Sequence, residues 1–373
     1  MQKAVKSESP AQGGSTALIA EAYNERKEVI HLKMVKRLQI FFLAIALLSA
    51  GCATTWTSIT DPQEIRLKWP NPPEKTRIEY LTSLKGFREE GTSLKNLVYG
   101  KEEGKLMRPV AVAAARDGRI AIADTSCRCV HFYIPSSQKY SQLSKVDSED
   151  MVSPVGVAFD DESRLYVSDS ALAKVFVFDS QGVYLFAIET AGERRLKRPT
   201  GIAFNSDNKI LYVIDTLSHK VDAFDKNGLL LFSFGDRANG NGQFNFPTHI
   251  FWSLPGRIYV TDAMNFRIQI FDSSGRFLTA FGHQGDGSGD FAVPKGVAAD
   301  KDSVIYVVDS LFDNVQLFNE NGGFLLTLGS RGNMPGEFWL PSGIFIDAHD
   351  KLYVCDSFNK RIQIFRILRE PAP

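Results

Sequence analysis

An aspartate recurs along this chain at a nearly constant interval, each time at the end of a short apolar segment. The segments resemble one another, as in Leu-Tyr-Val-Ser-Asp at residues 165–169 and Ile-Tyr-Val-Val-Asp at residues 305–309. Successive aspartates are 45, 46, 47, 47 and 47 residues apart, at Asp124, Asp169, Asp215, Asp262, Asp309 and Asp356. A fixed period in this range is typical of repeat architectures, in which each unit buries its faces against its neighbours. The chain is therefore predicted to contain six copies of one supersecondary unit.

Each copy carries further signals of short β-strands. A proline lies about 15 residues before each aspartate, at Pro109, Pro154, Pro199, Pro247, Pro294 and Pro341. Proline fits the first position of a strand because it cannot donate a ladder hydrogen bond. Apolar runs joined by Asx-Gly turns follow the aspartate, as in residues 268–281, and indicate hairpins. Four short antiparallel strands make one propeller blade, so we predict an all-β fold, a six-bladed β-propeller of four-stranded antiparallel blades.

The ring of blades is predicted to close through a strand from the N-terminal side. The six repeats lie near residues 107–150, 151–195, 196–240, 244–288, 291–335 and 338–370, within a propeller spanning 75–373. The last repeat supplies only three strands, and residues 77–84 have the pattern of the missing fourth strand. Pairing of the two ends would remove the exposed edges of an open sheet.

The repeated patterns resemble those of a known family. Pro-x-Gly-Val/Ile-Ala, Leu-Tyr-Val-x-Asp-Ser, Asn-x-Arg-Ile-Gln-Ile-Phe and Gly-x-Phe-Leu are similar to the NHL repeat over roughly residues 75–370. This resemblance implies a six-bladed propeller, in a family of enzymes, RNA binders and extracellular sensor domains, so it does not define a function. Lyases that resemble NHL propellers carry metal-binding histidines directly after the first proline of each blade. The matching residues here include no histidine: Val110, Val155, Thr200, Thr248, Lys295 and Ser342.

Ligand binding is expected at the mouth of the central channel, because loops on a rigid scaffold are common binding sites. The candidate residues are Thr200, Thr248, His249, Lys295 and Ser342. His249 lies one residue beyond the position that follows the proline, where other blades mostly have glycine. The sequence predicts no catalytic residue, no metal site and no cofactor. A lyase or hydrolase that uses the central channel is the alternative from a different class.

The six repeated aspartates are predicted to be structural rather than metal ligands. An aspartate that opens a tight turn accepts backbone N–H bonds within its own loop. A basic residue five positions later can pair with it in four repeats, at Lys174, Lys220, Arg267 and Arg361.

The N-terminal region has the layout of an export signal. Residues 34–52 have a short basic start, an apolar stretch and small residues before Cys52, which resembles a bacterial lipoprotein signal peptide with Cys52 as the lipidation site. A single membrane-spanning anchor is the alternative, although the apolar run is short for one. Residues 1–33 are predicted to be a non-native extension, and residues 53–74 a proline-rich tether. Both alternatives place the propeller on the extracytoplasmic side of the bacterial envelope, in the periplasm or at the outer membrane.

Three further cysteines, Cys127, Cys129 and Cys355, are candidates for a disulfide or redox site. Cys127 and Cys129 occupy the positions of Asn265 and Arg267 in another repeat. Cys355 precedes the last turn aspartate, so a bond across the ring closure to one of the pair is possible, as are unpaired buried thiols. A redox or haem-associated accessory protein is a third functional hypothesis, which depends on this pair alone.

The balance of basic and acidic residues limits the classes of molecule that this chain is expected to bind. Lysine plus arginine and aspartate plus glutamate both total 43, and beyond residue 52 there are 36 basic and 39 acidic residues. A chain without a basic run lacks the electrostatic footprint of a nucleic-acid-binding protein. The sequence therefore predicts a non-catalytic binding lipoprotein of the cell envelope. Its expected partner is an envelope protein or a cell-surface polymer, with the membrane reached through the lipid anchor.

Overall fold

The computed structural model describes residues 27, 31, 33–39, 55–61, 65–71, 73–90 and 103–369. The described residues from 55 to 369 form one compact unit, and residues 27, 31 and 33–39 belong to another. In the smaller unit, residues 33–39 are helical. None of the helices within the described residues is long and apolar enough to cross a membrane.

The larger unit is an all-β propeller. Four strands lie ahead of its first blade: β1 (Thr55–Thr60), β2 (Lys68–Trp69), β3 (Ile78–Glu90) and β4 (Glu103–Lys105). Blade 1 contains β5 (Pro109–Ala114), β6 (Ile120–Asp124), β7 (Cys129–Ile134) and β8 (Lys139–Leu143). A hairpin of β9 (Lys145–Val146) and β10 (Glu149–Asp150) precedes blade 2, which contains β11 (Pro154–Phe159), β12 (Leu165–Asp169), β13 (Lys174–Phe178) and β14 (Tyr184–Ile188). Each of these blades is a four-stranded antiparallel sheet with its strands in chain order.

The next three blades have the same topology. A hairpin of β15 (Thr190–Ala191) and β16 (Arg194–Arg195) leads to blade 3, with β17 (Pro199–Asn205), β18 (Ile210–Asp215), β19 (Lys220–Phe224) and β20 (Leu230–Phe234). Blade 4 contains β21 (Pro247–Ser253), β22 (Arg257–Asp262), β23 (Arg267–Asp272) and β24 (Phe277–Phe281). Blade 5 contains β25 (Pro294–Ala299), β26 (Ile305–Asp309), β27 (Asn314–Phe318) and β28 (Phe324–Leu328). Single 3₁₀ turns occupy Pro135–Ser137, Thr216–Ser218 and Ala263–Asn265.

Blade 6 confirms that an N-terminal strand closes the ring. Its chain-terminal strands are β29 (Ile344–Ile346), β30 (Lys351–Asp356) and β31 (Arg361–Ile367), and β3 pairs with β31 as the fourth strand. The paired part of β3 runs from Ile78 opposite Ile367 to Leu84 opposite Ile362. Together with the five blades above, this sheet completes the predicted six-bladed, four-stranded architecture.

The region predicted to be a tether has a different structure. Strands β1 and β2 lie within it and both pair with β3, so this part of the chain belongs to the blade 6 sheet. Strand β2 pairs with the start of β3, at Ile78 and Glu79. The physical reason for β1 is the length of β3, which runs past the end of β31 and would leave backbone groups unpaired. Strand β1 pairs with that overhang, β4 covers part of its other edge, and Trp69 packs edge-on against Phe365.

The core lies between the blades. Every residue of second strands such as β6 and β12 is buried, since these strands have a neighbouring blade on both faces. Glycine-rich loops after the outer strands each insert a fully buried phenylalanine between blades, at Phe244, Phe291 and Phe338.

The first strands pack closely around the channel axis. A Cβ added to Gly156 would lie 2.3 Å from the carbonyl oxygen of Thr200 in the next blade. At Gly343 it would lie 2.4 Å from the carbonyl oxygen of Val110, across the ring closure. Glycine at these positions therefore sets the spacing of the inner strands around the central channel.

Candidate functional site

One mouth of the central channel is formed by the residues that follow the six blade prolines. We call it the proline-end mouth. It is a cavity of 430 Å³ whose lining includes Arg108, Leu311, Phe358 and all six of these residues, namely Val110, Val155, Thr200, Thr248, Lys295 and Ser342. His249 also lines it. All five residues expected from the sequence to bind a ligand thus lie around a single cavity.

His249 extends into the channel at a position where four of the other blades have glycine and blade 1 has Ala111. It lines the proline-end mouth and also the cavity at the opposite end. The backbone N–H of Val297, on the first strand of blade 5, donates to Nδ1 of His249 at 3.2 Å. Burial lowers the pKa of His249 to about 4, so the ring is neutral at physiological pH. Because Nδ1 accepts a hydrogen bond, the proton lies on Nε2, which is left as a donor.

Positive charge dominates the proline-end mouth. Lys295 keeps access to solvent, although protein surrounds much of the side chain, and burial together with nearby Arg198 lowers its pKa. The guanidinium of Arg108 lies 5.0 Å from the ring centre of Phe358. A wider cavity of 640 Å³ adjoins the mouth and is lined by Arg198, Lys295 and Met264, among others. No carboxylate lines either cavity among the described residues, so an anionic group would meet no like charge there.

The hydroxyl groups of the mouth differ in their bonding. Oγ1 of Thr200 shares a hydrogen bond of 2.8 Å with Thr216, and the Ser342 hydroxyl shares one of 2.7 Å with Ser357. These side chains are therefore already engaged. Oγ1 of Thr248 is buried and has no hydrogen-bond partner within the part of the chain that the structure describes.

The opposite mouth is acidic, with a cavity of 280 Å³. Its lining includes Asp160, Asp300 and Asp347, and each of these accepts a hydrogen bond from a tyrosine hydroxyl of its own blade. Burial raises the pKa of both Asp160 and Asp300. The same carboxylates accept backbone N–H bonds in their turns, so they hold the loops of this face.

An arc of exposed apolar side chains borders the proline-end mouth on blades 3 to 6. Each lies two residues after a turn aspartate: Leu217, Met264, Leu311 and Phe358, with exposed fractions of 44, 55, 62 and 39%. Blades 1 and 2 have Ser126 and Ala171 at this position. Trp339 is 44% exposed and lies 5.6 Å from Phe358, measured between ring centres. We refer to these five large side chains as the apolar arc.

The sequence analysis did not identify the apolar arc, or Arg108 and Arg198, as candidate binding residues. The signal was present, because an alignment of the repeats on their aspartates places four large apolar residues in one column. Apolar residues are so common in a propeller that only their exposure separates this column from the core.

All six turn aspartates are fully buried and accept backbone N–H bonds. The expected pairing with the basic residue five positions later occurs in two blades, between Arg267 and Asp262 at 2.8 Å and between Arg361 and Asp356 at 2.7 Å. Lys174 and Lys220 pair instead with carboxylates outside their turns. The guanidinium fork reaches both the aspartate and two loop carbonyls, which a single ammonium cannot do.

The cysteines do not pair across the ring closure. Cys127 and Cys129 are joined to each other by a disulfide, and Cys355 is a free thiol. Cys355 is fully buried in a cluster that includes Val112 and Ile122 of blade 1, so it serves as a core residue. Burial also raises the pKa of its thiol, which keeps the group neutral and unreactive. Cys52 and most of the proposed signal peptide lie outside the described residues.

Comparisons with known proteins support the propeller fold. A family model described as a 6-bladed beta-propeller matches residues 247–304 and 299–367, and the model of the SMP-30/gluconolactonase/LRE-like region matches residues 108–229. Neither match reaches half of the chain. Among curated proteins, none matches this sequence.

Several solved structures are similar to this one. Virginiamycin B lyase from Staphylococcus aureus is 11% identical, with a TM-score of 0.56 over 84% of this chain and 100% of the lyase. A protein of unknown function from Bacteroides thetaiotaomicron is 14% identical, with a TM-score of 0.55 over 84% of this chain and 90% of its own. Hydrazine synthase from Kuenenia stuttgartiensis is 18% identical, with a TM-score of 0.51 over 69% of this chain and 76% of its own. At these identities the likeness establishes the fold and leaves the function open.

Proposed function

We propose that this protein is a non-catalytic binding propeller of the bacterial cell envelope, and that its proline-end face captures a partner protein. The observation that carries the proposal is the apolar arc beside a mouth with cationic residues and no carboxylate in its described lining. The partner is expected to insert an anionic group, such as a carboxylate, into the mouth and to cover the arc with apolar side chains.

The apolar arc favours a protein over a surface polymer. Contiguous exposed apolar patches on soluble domains commonly mark interaction sites. Aromatic residues and arginine are enriched at the centres of protein interfaces, and here Arg108, Phe358 and Trp339 lie together at the mouth. A hydrated polysaccharide would leave most of this surface without an apolar counterpart.

The cationic residues at the mouth would orient the bound partner and increase the rate of its association. Lys295, Arg108 and Arg198 have no carboxylate partner among the described residues, so their charge is available to a ligand. Attraction between a positive mouth and an anionic segment accelerates association and weakens as salt screens it. Binding is therefore expected to weaken as ionic strength rises.

The envelope location rests on the sequence of residues 34–52, with Cys52 as the proposed lipid attachment site. Lipid anchorage would keep the propeller at a membrane surface, where a membrane-bound partner has a high effective concentration. Labelling cells with a radioactive fatty acid tests this. The wild-type chain should take up label and Cys52→Ser should not; equal labelling of both would contradict the anchor.

Affinity capture from detergent-solubilised envelopes tests the binding face. The wild-type bait is compared with Leu311→Ser/Met264→Ser, which removes part of the apolar arc, and with Lys295→Glu, which reverses a charge at the mouth. Both variants should lose the proteins that the wild type retains. The matched control is Leu231→Ser/Leu278→Ser, because these leucines are 48% and 43% exposed on outer strands. Equal recovery by all four baits, or no enrichment over an empty tag, would contradict the proposal.

An enzyme that uses the channel is the second candidate. His249 favours it, because a neutral ring with a donor Nε2 is held inside the channel. Several of the similar proteins carry the names of enzymes, namely the gluconolactonase-like family, virginiamycin B lyase and hydrazine synthase. Acid–base catalysis would also require a second titratable group in reach of a substrate at His249, and Lys295 is the candidate that lines the same cavity. An activity screen against lactones and cyclic esters that His249→Asn abolishes would favour this alternative.

A further inference from the structure

A cluster of metal-ligating side chains lies in blade 1. Cys127, Cys129 and His131 offer ligand atoms that all lie within 4.8 Å of one another. Nε2 of His131 lies 3.7 Å from Sγ of Cys127 and 3.7 Å from Sγ of Cys129. Oδ2 of the turn aspartate Asp124 lies 3.7 Å from the same nitrogen. Two sulfurs, one imidazole nitrogen and one carboxylate oxygen therefore converge.

The repeat explains why these side chains meet. In blade 4, the residues three, five and seven positions after Asp262 are Asn265, Arg267 and Gln269. Each of them donates to Oδ2 of Asp262, at 2.9, 2.8 and 3.0 Å respectively. Blade 6 repeats the arrangement with Asn359, Arg361 and Gln363 around Asp356. The backbone of the repeat thus directs these three positions at the turn carboxylate.

Blade 1 replaces all three hydrogen-bond donors by metal-ligating residues. We propose that reduced Cys127 and Cys129, together with His131 and Asp124, form a binding site for one Zn²⁺ ion. Zinc prefers four ligands in a tetrahedron, with bond lengths that put neighbouring ligand atoms roughly 3.4–3.8 Å apart. The separations of both sulfurs and the carboxylate oxygen from Nε2 already lie in this range.

The surroundings suit a metal site. Nδ1 of His131 lies 2.7 Å from the hydroxyl of Tyr140, whose oxygen can accept a hydrogen bond from Nδ1–H; this tautomer leaves Nε2 free for the metal. Such an outer partner fixes the ring orientation of a ligating histidine. His131 and Cys129 are buried, whereas Cys127 is partly exposed and provides access from solvent.

The disulfide and the zinc complex exclude each other, because zinc binds thiolates. A dithiol reductant opens the bond by thiol exchange: its two sulfurs join to each other, the Cys127–Cys129 bond breaks, and each cysteine gains one proton. Zn²⁺ then displaces the two protons as two zinc–sulfur bonds form. The site is therefore a zinc site that exists only in the reduced protein.

Zinc analysis of the full-length chain tests this proposal. One sample is kept oxidised and one is reduced with dithiothreitol without oxygen; both are desalted, incubated with Zn²⁺ and desalted again. We expect one zinc per reduced chain and none per oxidised chain. Tyr140→Phe should weaken zinc affinity about 10–100-fold, since it removes the outer hydrogen bond.

The repeat supplies matched variants. His131→Gln introduces the residue that blades 4 and 6 carry at this position, and the triple variant Cys127→Asn/Cys129→Arg/His131→Gln restores their whole pattern. Both should fold, as checked by their melting temperatures, and both should lose the zinc. His349→Asn removes an exposed histidine elsewhere and should leave binding unchanged. No zinc on the reduced wild type, or equal zinc on His131→Gln, would overturn the proposal.

Discussion

Buried turn aspartates link each blade to its own loops, and their partners determine how costly they are to replace. Asp356 and Arg361 form the best shielded of these ion pairs within the described residues, with side-chain exposures of 0 and 5%. The pair is further surrounded by Asn359 and Gln363, whose amides donate to the same carboxylate. Its net contribution to stability is expected to be modest, because both charges are desolvated. Removing one partner of the pair is more costly, because the other charge then stays buried without a counter-charge.

Asp356→Asn should lower the free energy of unfolding by about 3–5 kcal/mol, because it leaves the charge of Arg361 buried without a counter-charge. Urea denaturation followed by circular dichroism measures this loss. Asp302→Asn is the matched control, since Asp302 is 60% exposed and its contact with Arg369 is long, at 3.4 Å. The control should change stability by less than about 0.5 kcal/mol. Similar small effects of both substitutions would contradict a role for the buried pair.

His249 should make stability depend on pH. Its folded-state pKa of about 4 lies below the value of about 6.5 expected in the unfolded chain, because burial disfavours the charged ring. Between these values the unfolded state binds a proton that the folded state does not. The free energy of unfolding therefore falls as pH decreases from about 6.5 to 4, by roughly 3 kcal/mol at most.

The comparison with His249→Asn isolates this contribution from the carboxylates. The stability difference between wild type and variant should shift against the wild type as the pH falls across that window, while His349→Asn should track the wild type. A difference that stays constant from pH 7.5 to 4 would show that the ring is not shielded from protonation.

At the scale of single residues, the sequence was informative where the repeat fixes the backbone. Aligning the blades on their prolines places Thr248 and Lys295 at equivalent positions, and the structure puts both around one cavity. The same alignment could not reveal that Lys174 pairs with Glu149 while Arg267 pairs with its turn aspartate. That outcome depends on side-chain geometry and on carboxylates supplied by neighbouring loops.

Among the elements, β3 has the largest role in closing the fold. It pairs with β31, β1, β2 and β4, and Phe87 and Ile78 on it are fully buried. The closing segment was predictable because its pattern matches the outer strand that the sixth repeat lacks. Strands β1 and β2 were not predictable from the repeat. Strand β1 pairs mainly with the part of β3 that extends beyond β31, and the two-residue β2 pairs with the start of β3 at Ile78 and Glu79. Their pairing is a consequence of tertiary structure.

Removal of β3 should therefore damage the whole ring. A chain that starts after residue 90 loses β1, β2 and β3, which exposes the edge of β31 and the apolar face of blade 6. We expect insoluble protein or a markedly lower melting temperature. A chain that starts after residue 53 keeps all the strands of the larger unit and should melt like the full-length protein. Normal melting of the shorter chain would show that the N-terminal strands are dispensable.

At the scale of the whole molecule, the propeller presents two chemically different faces. Cations and the apolar arc lie at the proline-end mouth, and buried carboxylates support the turns of the other. The same strand and turn pattern builds every blade, so fold prediction needed only the period. The difference between the faces comes from individual residues within the repeat. Lys295 was already a candidate from the sequence, whereas Phe358 stands out only by its exposure in the folded ring.

Closure of the ring should also make unfolding cooperative. The hydroxyl of Ser357 donates to the carbonyl oxygen of Pro109 at 2.7 Å and joins blade 6 to blade 1, as the Thr216 hydroxyl joins blade 3 to Pro247 of blade 4 at 2.8 Å. Each blade thus has two covered faces and none is a terminal repeat. Opening any one interface exposes two blades at once, unlike the fraying of an open solenoid.

Single-tryptophan variants test this cooperativity. One variant keeps Trp252 in blade 4 and another keeps Trp69 beside β3, with the other tryptophans changed to phenylalanine. In each variant, the fluorescence midpoint in urea should coincide with the midpoint from circular dichroism, because a ring without ends loses local and global structure together. If the Trp69 signal changed at lower urea than the circular dichroism of the same variant, the closing sheet would open first. The ring would then behave as a chain of blades with a weak point at its closure.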